Sequence, residues 1–192
     1  MKGLLVLSGS GKQASHEYFD FVNQTGLTTL RKNYEYHSLN KDLEEYSYQE
    51  LINEMDEMIK ELQKKGVTEI IILAVSLGSI LSIMNLPARK HVSKYFFLGC
   101  ALNTSKNDVM QDLEKSFKEY ESFKDNGFTN EYLKEFNKNI TIFQGENDER
   151  WPARNVKKIA QQLSAKFYEL KKEEHTIKKA ENIKLLIKKI RE

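Results

Sequence analysis

The chain has 192 residues, 40% of them hydrophobic and 30% charged, which indicates one globular domain with a sizeable core. The net charge of +2 is too small to attract phosphate backbones, so we expect no nucleic-acid partner. The one cysteine, Cys100, cannot form a disulfide within the chain, and the apolar run at residues 4–7 is too short for a signal-peptide core. We therefore expect a cytoplasmic protein.

The elements are predicted from apolar runs, which indicate strands, and from apolar residues at helical spacing, which indicate helices. In chain order, the predicted strands are residues 2–8, 33–39, 68–75, 94–102, 139–144 and 165–170, the last with the alternation of an edge strand. The predicted helices are residues 14–23, 48–62, 77–86, 152–163 and 176–191. This alternation predicts an α/β fold: a three-layer α/β/α sandwich around a mostly parallel sheet of about six strands.

The stretch of residues 70–86 has no charged residue over 17 positions, near the lower limit of about 17–25 residues for a membrane span. Small and polar residues, among them Ser76 and Gly78, interrupt it. We therefore predict a buried strand, a turn and a buried helix here, and no membrane span.

The sequence Ala74-Val75-Ser76-Leu77-Gly78 lies at the junction of the most apolar strand and a helix. A serine on such a tight turn projects its hydroxyl above the sheet, and the small residues on either side let the chain bend. The sequence resembles the nucleophile elbow of the α/β-hydrolase family, G-x-S-x-G, with Ala74 in place of the first glycine.

Two further segments resemble the same family. Gly145-Glu146-Asn147-Asp148 follows a strand as the acid loop does, and it makes Asp148 the expected acid; Glu146 is a weaker substitute, and the alternative for Asp148 is a helix cap. His175 follows the last strand and opens the last helix, where the family places its histidine. The other histidines, at positions 16, 37 and 91, fit this place less well. The order Ser76, Asp148, His175 is the order of this fold.

The resemblance implies a serine hydrolase that cleaves a carboxylic ester or thioester through an acyl-enzyme. Ser76 is the expected nucleophile, His175 the acid and base, and Asp148 the group that orients the histidine. Ser8-Gly9-Ser10-Gly11 resembles the oxyanion loop of the family, H-G-x-G, so Gly9 and the backbone N–H groups of Ser10 and Leu77 are expected to bind the oxyanion.

A small lid is the implied role of residues 103–137, which are polar and charged, with scattered aromatic residues. We interpret them as an insertion in a single domain that spans residues 1–192. If they form a lid, deletion of residues 110–130 alters the preference for acyl-chain length.

Two alternatives remain open. Gly9-Ser10-Gly11-Lys12-Gln13-Ala14 also fits the dinucleotide-binding pattern G-x-G-x-x-A, with Glu35 as the group that would bind a ribose hydroxyl. The second alternative is a catalytically silent α/β-hydrolase fold that serves as a binding module. The scattered histidines and the lone cysteine give no spacing typical of a metal site, so we expect no metal and no cofactor, and a small-molecule ester or thioester as the partner.

Overall fold

The structure, a computed structural model, describes residues 1–9, 16–33, 48–84, 90–101 and 139–192. The proposed insertion at residues 103–137 lies outside these ranges, as do Ser10, Gly11 and Glu35. Every helix in the described ranges is too short or too polar to cross a membrane.

Six strands and five helices are present in these ranges. The strands are β1 (Lys2–Leu7), β2 (Thr28–Leu30), β3 (Glu69–Val75), β4 (Val92–Leu98), β5 (Ile140–Gly145) and β6 (Lys166–Leu170). A 3-10 helix spans Glu17–Thr25, and the α-helices are α1 (Tyr48–Lys64), α2 (Leu77–Met84), α3 (Ala153–Gln162) and α4 (Ala180–Arg191).

The strands form one sheet in the order β2-β1-β3-β4-β5-β6, and every neighbouring pair is parallel. The predicted α/β fold with a parallel sheet of six strands is confirmed. The most apolar strand, β3, lies in the interior of the sheet, and β6 lies at an edge as its alternation predicted. All carboxyl ends of the strands face one side, where ligands bind in such sheets.

Helices cover both faces of the sheet, because successive strand side chains point to opposite sides. Ile70, Ile72 and Ala74 of β3 pack in the cluster that contains residues of α1, α2 and α3. Ile71 and Leu73 pack in the other cluster, with the 3-10 helix and α4. The result is the predicted three-layer sandwich.

Several predicted boundaries were wrong. The second strand lies at Thr28–Leu30, where it pairs with β1, whereas residues 34–39 of the predicted strand lie outside the described ranges. A strand of three residues is too short to show the alternation of apolar and polar residues that indicates a strand, so β2 was not predicted. The last helix begins at Ala180, four residues later than predicted, because a carboxylate upstream binds the backbone N–H groups of residues 178 and 179.

Candidate active site

Ser76 lies on the turn between β3 and α2. Its φ angle of +51° falls in the left-handed region, which costs energy for a residue with a side chain. Its N–H donates to the Leu98 carbonyl at 3.0 Å, and its carbonyl accepts from the Ser79 hydroxyl at 2.6 Å. Ser79 in turn accepts from the Ala101 N–H at 3.2 Å. Hydrogen bonds therefore hold the strained turn against the end of β4.

Two glycines let this turn approach β1 closely. A Cβ on Gly78 would lie 2.7 Å from the Leu7 carbonyl oxygen, and a Cβ on Gly9 would lie 2.9 Å from the Ser76 Cβ. Both distances are shorter than real Cβ contacts allow. Gly78 and Gly9 are thus required by the packing of the turn, whereas the side chain of Ala74 fits within the core.

Asp148 lies in the loop after β5, and its side chain is fully buried. Its Oδ1 accepts from the Arg150 and Trp151 N–H groups, each at 3.0 Å. Its Oδ2 lies 2.6 Å from the Gln144 Nε2 and 2.8 Å from the His175 Nδ1. The proposed acid and the proposed base are therefore in direct contact.

Gln144, the next-to-last residue of β5, also takes part in the site. It is fully buried, and besides Asp148 it contacts the Trp151 carbonyl through Nε2 at 2.8 Å and the Cys100 N–H through Oε1 at 2.8 Å. The sequence pattern predicts it only as part of a strand. Its position immediately before Gly145, at the carboxyl end of a buried strand, was the observation that could have singled it out.

The loop that contains His175 packs closely against two glycines, Gly99 and Gly145. A Cβ on Gly99 would lie 3.1 Å from the His175 Nδ1, and Gly99 has a φ of +51°. A Cβ on Gly145 would overlap the backbone carbonyl oxygens of Glu173 and Glu174. The Asn147 N–H donates to the Glu173 carbonyl at 2.9 Å, which joins the acid loop to the histidine loop.

Glu173 fixes the other end of the histidine loop. Its buried carboxylate accepts from the Lys179 N–H at 2.7 Å, the Lys178 N–H at 3.1 Å and the Asn182 Nδ2 at 2.9 Å, and so caps α4. Tyr18 accepts from the Ile177 N–H at 3.0 Å. Burial raises the pKa of Tyr18 to about 12; the Ile177 hydrogen bond opposes the rise, and the charge of Glu173 adds to it. His175 therefore precedes α4 in a loop held from both sides, and does not open the helix.

These contacts bring the three predicted residues to one edge of the sheet. Ser76 is bound to Leu98, and the next residue, Gly99, contacts His175, which is bound to Asp148. Among the described residues, no hydrogen bond joins the Ser76 hydroxyl to the His175 ring. In catalytic sites such bonds are often long in the absence of substrate, and they tighten when substrate binds.

Solved structures of similar shape come from several organisms. Est1E from Butyrivibrio proteoclasticus has a TM-score of 0.74 at 14% identity, over 99% of this chain and 85% of that one. An α/β hydrolase from the metagenome of lagoon sediments at Mar Chica, Morocco, has a TM-score of 0.71 at 16% identity, over 98% and 90%. The chain has the α/β-hydrolase fold. An esterase from Exiguobacterium antarcticum is similar too, with a TM-score of 0.73 at 11% identity, over 100% and 92%. No family model and no curated protein matches the sequence.

Within this α/β-hydrolase fold, the expected oxyanion donors are described in part. Leu77 is the first residue of α2, so its N–H has no acceptor within the helix and lies at the positive end of the helix dipole. Gly9 contacts Ser76, as described above, while Ser10 lies outside the described residues. Over the described part of the chain, no three or more His, Cys, Asp or Glu residues are grouped so that they could hold a metal ion.

Proposed function

We propose that the protein is a serine hydrolase that cleaves a carboxylic ester or thioester through an acyl-enzyme. The observation that carries this proposal is the 2.8 Å contact between His175 and a fully buried Asp148, beside a strained turn that bears Ser76. Backbone strain and buried charge are costly, and they persist where function uses them.

The roles follow from the chemistry of the groups. Ser76 is a weak nucleophile at neutral pH, and it needs a base to accept its proton as its oxygen attacks the carbonyl carbon. With Nδ1 held by Asp148, His175 presents Nε2 as that base, and the same atom later protonates the leaving group. The Leu77 N–H, together with the Ser10 N–H, would stabilise the oxyanion of the tetrahedral intermediate.

The nature of the neighbours supports an ester as the substrate. One of those named above is called an esterase, another similar structure is a monoacylglycerol lipase from Paleococcus ferrophilus, and Est1E has also been solved with ferulic acid bound. From these names we take only an ester as the class of substrate that we propose for this chain. A thioester is attacked through the same steps and remains within the proposal.

The dinucleotide alternative is less well supported by the surroundings of Gly9. In that alternative Gly9 is the first glycine of the pattern, which is needed for the tight turn after the strand. In the structure Gly9 already has a reason to lack a Cβ, because it packs against Ser76. The glycine is thus accounted for by the serine turn.

A fluorophosphonate probe, which reacts with activated serines, tests the proposal. We expect it to label the wild type and not Ser76→Ala, and we expect the wild type to hydrolyse p-nitrophenyl esters of graded acyl length. Ser82→Ala is the matched control, since Ser82 is a buried serine of α2, the helix that follows Ser76, and its hydroxyl binds the Gly78 carbonyl at 2.7 Å.

Labelling of Ser82→Ala should equal that of the wild type. A folded wild type that neither reacts with the probe nor cleaves any ester would contradict the proposal and favour a silent binding module. Binding of NAD or NADP by such a protein would favour the dinucleotide alternative.

A further inference from the structure

We propose that Gln144 is a positioning residue, whose side-chain amide holds the Asp148 carboxylate in place towards His175. This inference rests on the proposed function, because it assigns Gln144 a part in the same reaction. Gln144 does not touch the reacting atoms and acts through Asp148.

The orientation of the Gln144 amide follows from its partners. A backbone N–H can only donate, so the atom that faces Cys100 must be the amide oxygen. A backbone carbonyl can only accept, so the atom that faces Trp151 must be the amide nitrogen. The two partners independently give the same orientation, which presents an N–H to the Asp148 Oδ2 at 2.6 Å.

This orientation determines what the aspartate can do. A carboxylate has about four acceptor positions, and three of those of Asp148 are taken by groups that only donate: two backbone N–H groups and the Gln144 amide. Each of these contacts uses a carboxylate oxygen of Asp148 as the acceptor. The fourth partner, the His175 Nδ1, must then carry the proton, which leaves Nε2 free to act as a base.

Gln144 also ties two strands together at the site. Its oxygen binds the Cys100 N–H, two residues beyond β4, while its nitrogen binds the loop beyond β5. Glutamine is long enough to make both contacts, and it is neutral. A carboxylate in its place would keep the acceptor for Cys100 but would lose the donor towards Asp148.

Gln144→Glu is therefore the decisive variant, because it changes the chemistry and keeps the shape. Two carboxylates at this distance share one proton. We expect kcat for p-nitrophenyl acetate to fall about 10- to 100-fold with a smaller change in KM.

Ser93→Ala is the structural control. Ser93 lies at the opposite end of β4, where its hydroxyl binds Glu69 and the Ile70 carbonyl at 3.0 and 3.2 Å. This variant should lose stability yet keep the wild-type kcat and KM. Equal losses of kcat in both variants, or a Gln144→Glu protein with wild-type kcat, would overturn the assignment.

A second measurement separates this inference from the proposed function. The NMR signal of the His175 Nδ1 proton reports its hydrogen bond to Asp148 whether or not the protein cleaves esters. We expect the signal in the wild type and in Ser93→Ala, and we expect it to shift or vanish in Gln144→Glu. An unchanged signal refutes the inference, whereas failure of the wild type to react with fluorophosphonate refutes only the proposed function.

Discussion

The residues of the candidate site differ in how readily their roles can be predicted from the sequence. Asp148 and His175 could be found because each follows a strand, and the carboxyl ends of parallel strands meet at one edge. Gln144 could not be assigned a role, because its three partners come from positions 100, 148 and 151, and their meeting depends on how β4 and β5 are paired. Gly99 was missed for the same reason.

Asp148→Asn tests the carboxylate at this scale. The backbone N–H groups of Arg150 and Trp151 require an oxygen at the Oδ1 position, so the new amide nitrogen would face His175. The histidine Nδ1 would then accept, which leaves its proton on Nε2 and prevents it from acting as a base. We expect kcat to fall by about a thousand- to ten-thousand-fold with little change in KM.

The control for this variant is Glu146→Gln, two residues away in the same loop. Glu146 is exposed, and its carboxylate binds the Lys172 N–H at 3.0 Å. The sequence makes it the weaker substitute for the acid, and we expect kcat to stay near the wild-type value. A larger loss of activity in Glu146→Gln than in Asp148→Asn would reverse the assignment of the acid.

Among the elements, the long apolar ones were predicted well and the capped or short ones were not. Strand β3 and helix α1 have strong periodicity, and their predicted bounds agree within two residues. The start of α4 was misjudged because its apolar stripe extends back to Ile177, which is buried but lies before the helix. The residue that delays the start is Glu173, whose capping contacts span up to nine positions.

Glu173→Gln should therefore destabilise the protein. A glutamine keeps one acceptor, but it presents an NH₂ group to one of the two backbone N–H groups that Glu173 now binds. We expect the free energy of unfolding in urea to fall by about 1–3 kcal/mol. In Glu174→Gln, which removes an exposed pair with Lys178, the change should stay within about 0.5 kcal/mol. Similar losses in the two variants would contradict the capping role.

For the molecule as a whole, the alternation of elements was enough to predict the class of fold and the layers, because burial on both faces leaves continuous apolar strands. It was not enough to predict β2, whose three residues pair with β1. Contacts between the 3-10 helix and the segment that leads into α4 were also beyond the sequence. One of them is the hydrogen bond of Tyr18 with the Ile177 N–H, across 159 positions.

Because of Tyr18, the free energy of unfolding of the whole protein should decrease at alkaline pH. Its folded pKa of about 12 lies above the ordinary value of 10.0, so the unfolded chain releases the proton first. The stabilisation is complete below about pH 10 and is lost as the pH rises towards 12, by up to about 2–3 kcal/mol. The variant Tyr18→Phe has no phenol group to titrate, and it has no acceptor for the Ile177 N–H. It should be less stable than the wild type at neutral pH, and the difference in the free energy of unfolding should narrow above about pH 10. A constant difference across this range would rule out the effect.

The order of the strands has a consequence for how the protein can be switched off. Ser76 follows an interior strand, whereas His175 follows β6, which pairs with β5 alone among the described strands. Local unfolding at the edge of a sheet costs less free energy than unfolding of its centre. Brief detachment of β6 and α4 would separate the histidine from the serine while β1, β3 and β4 stay paired. Loss of activity on warming would then precede denaturation and be fully reversible on cooling.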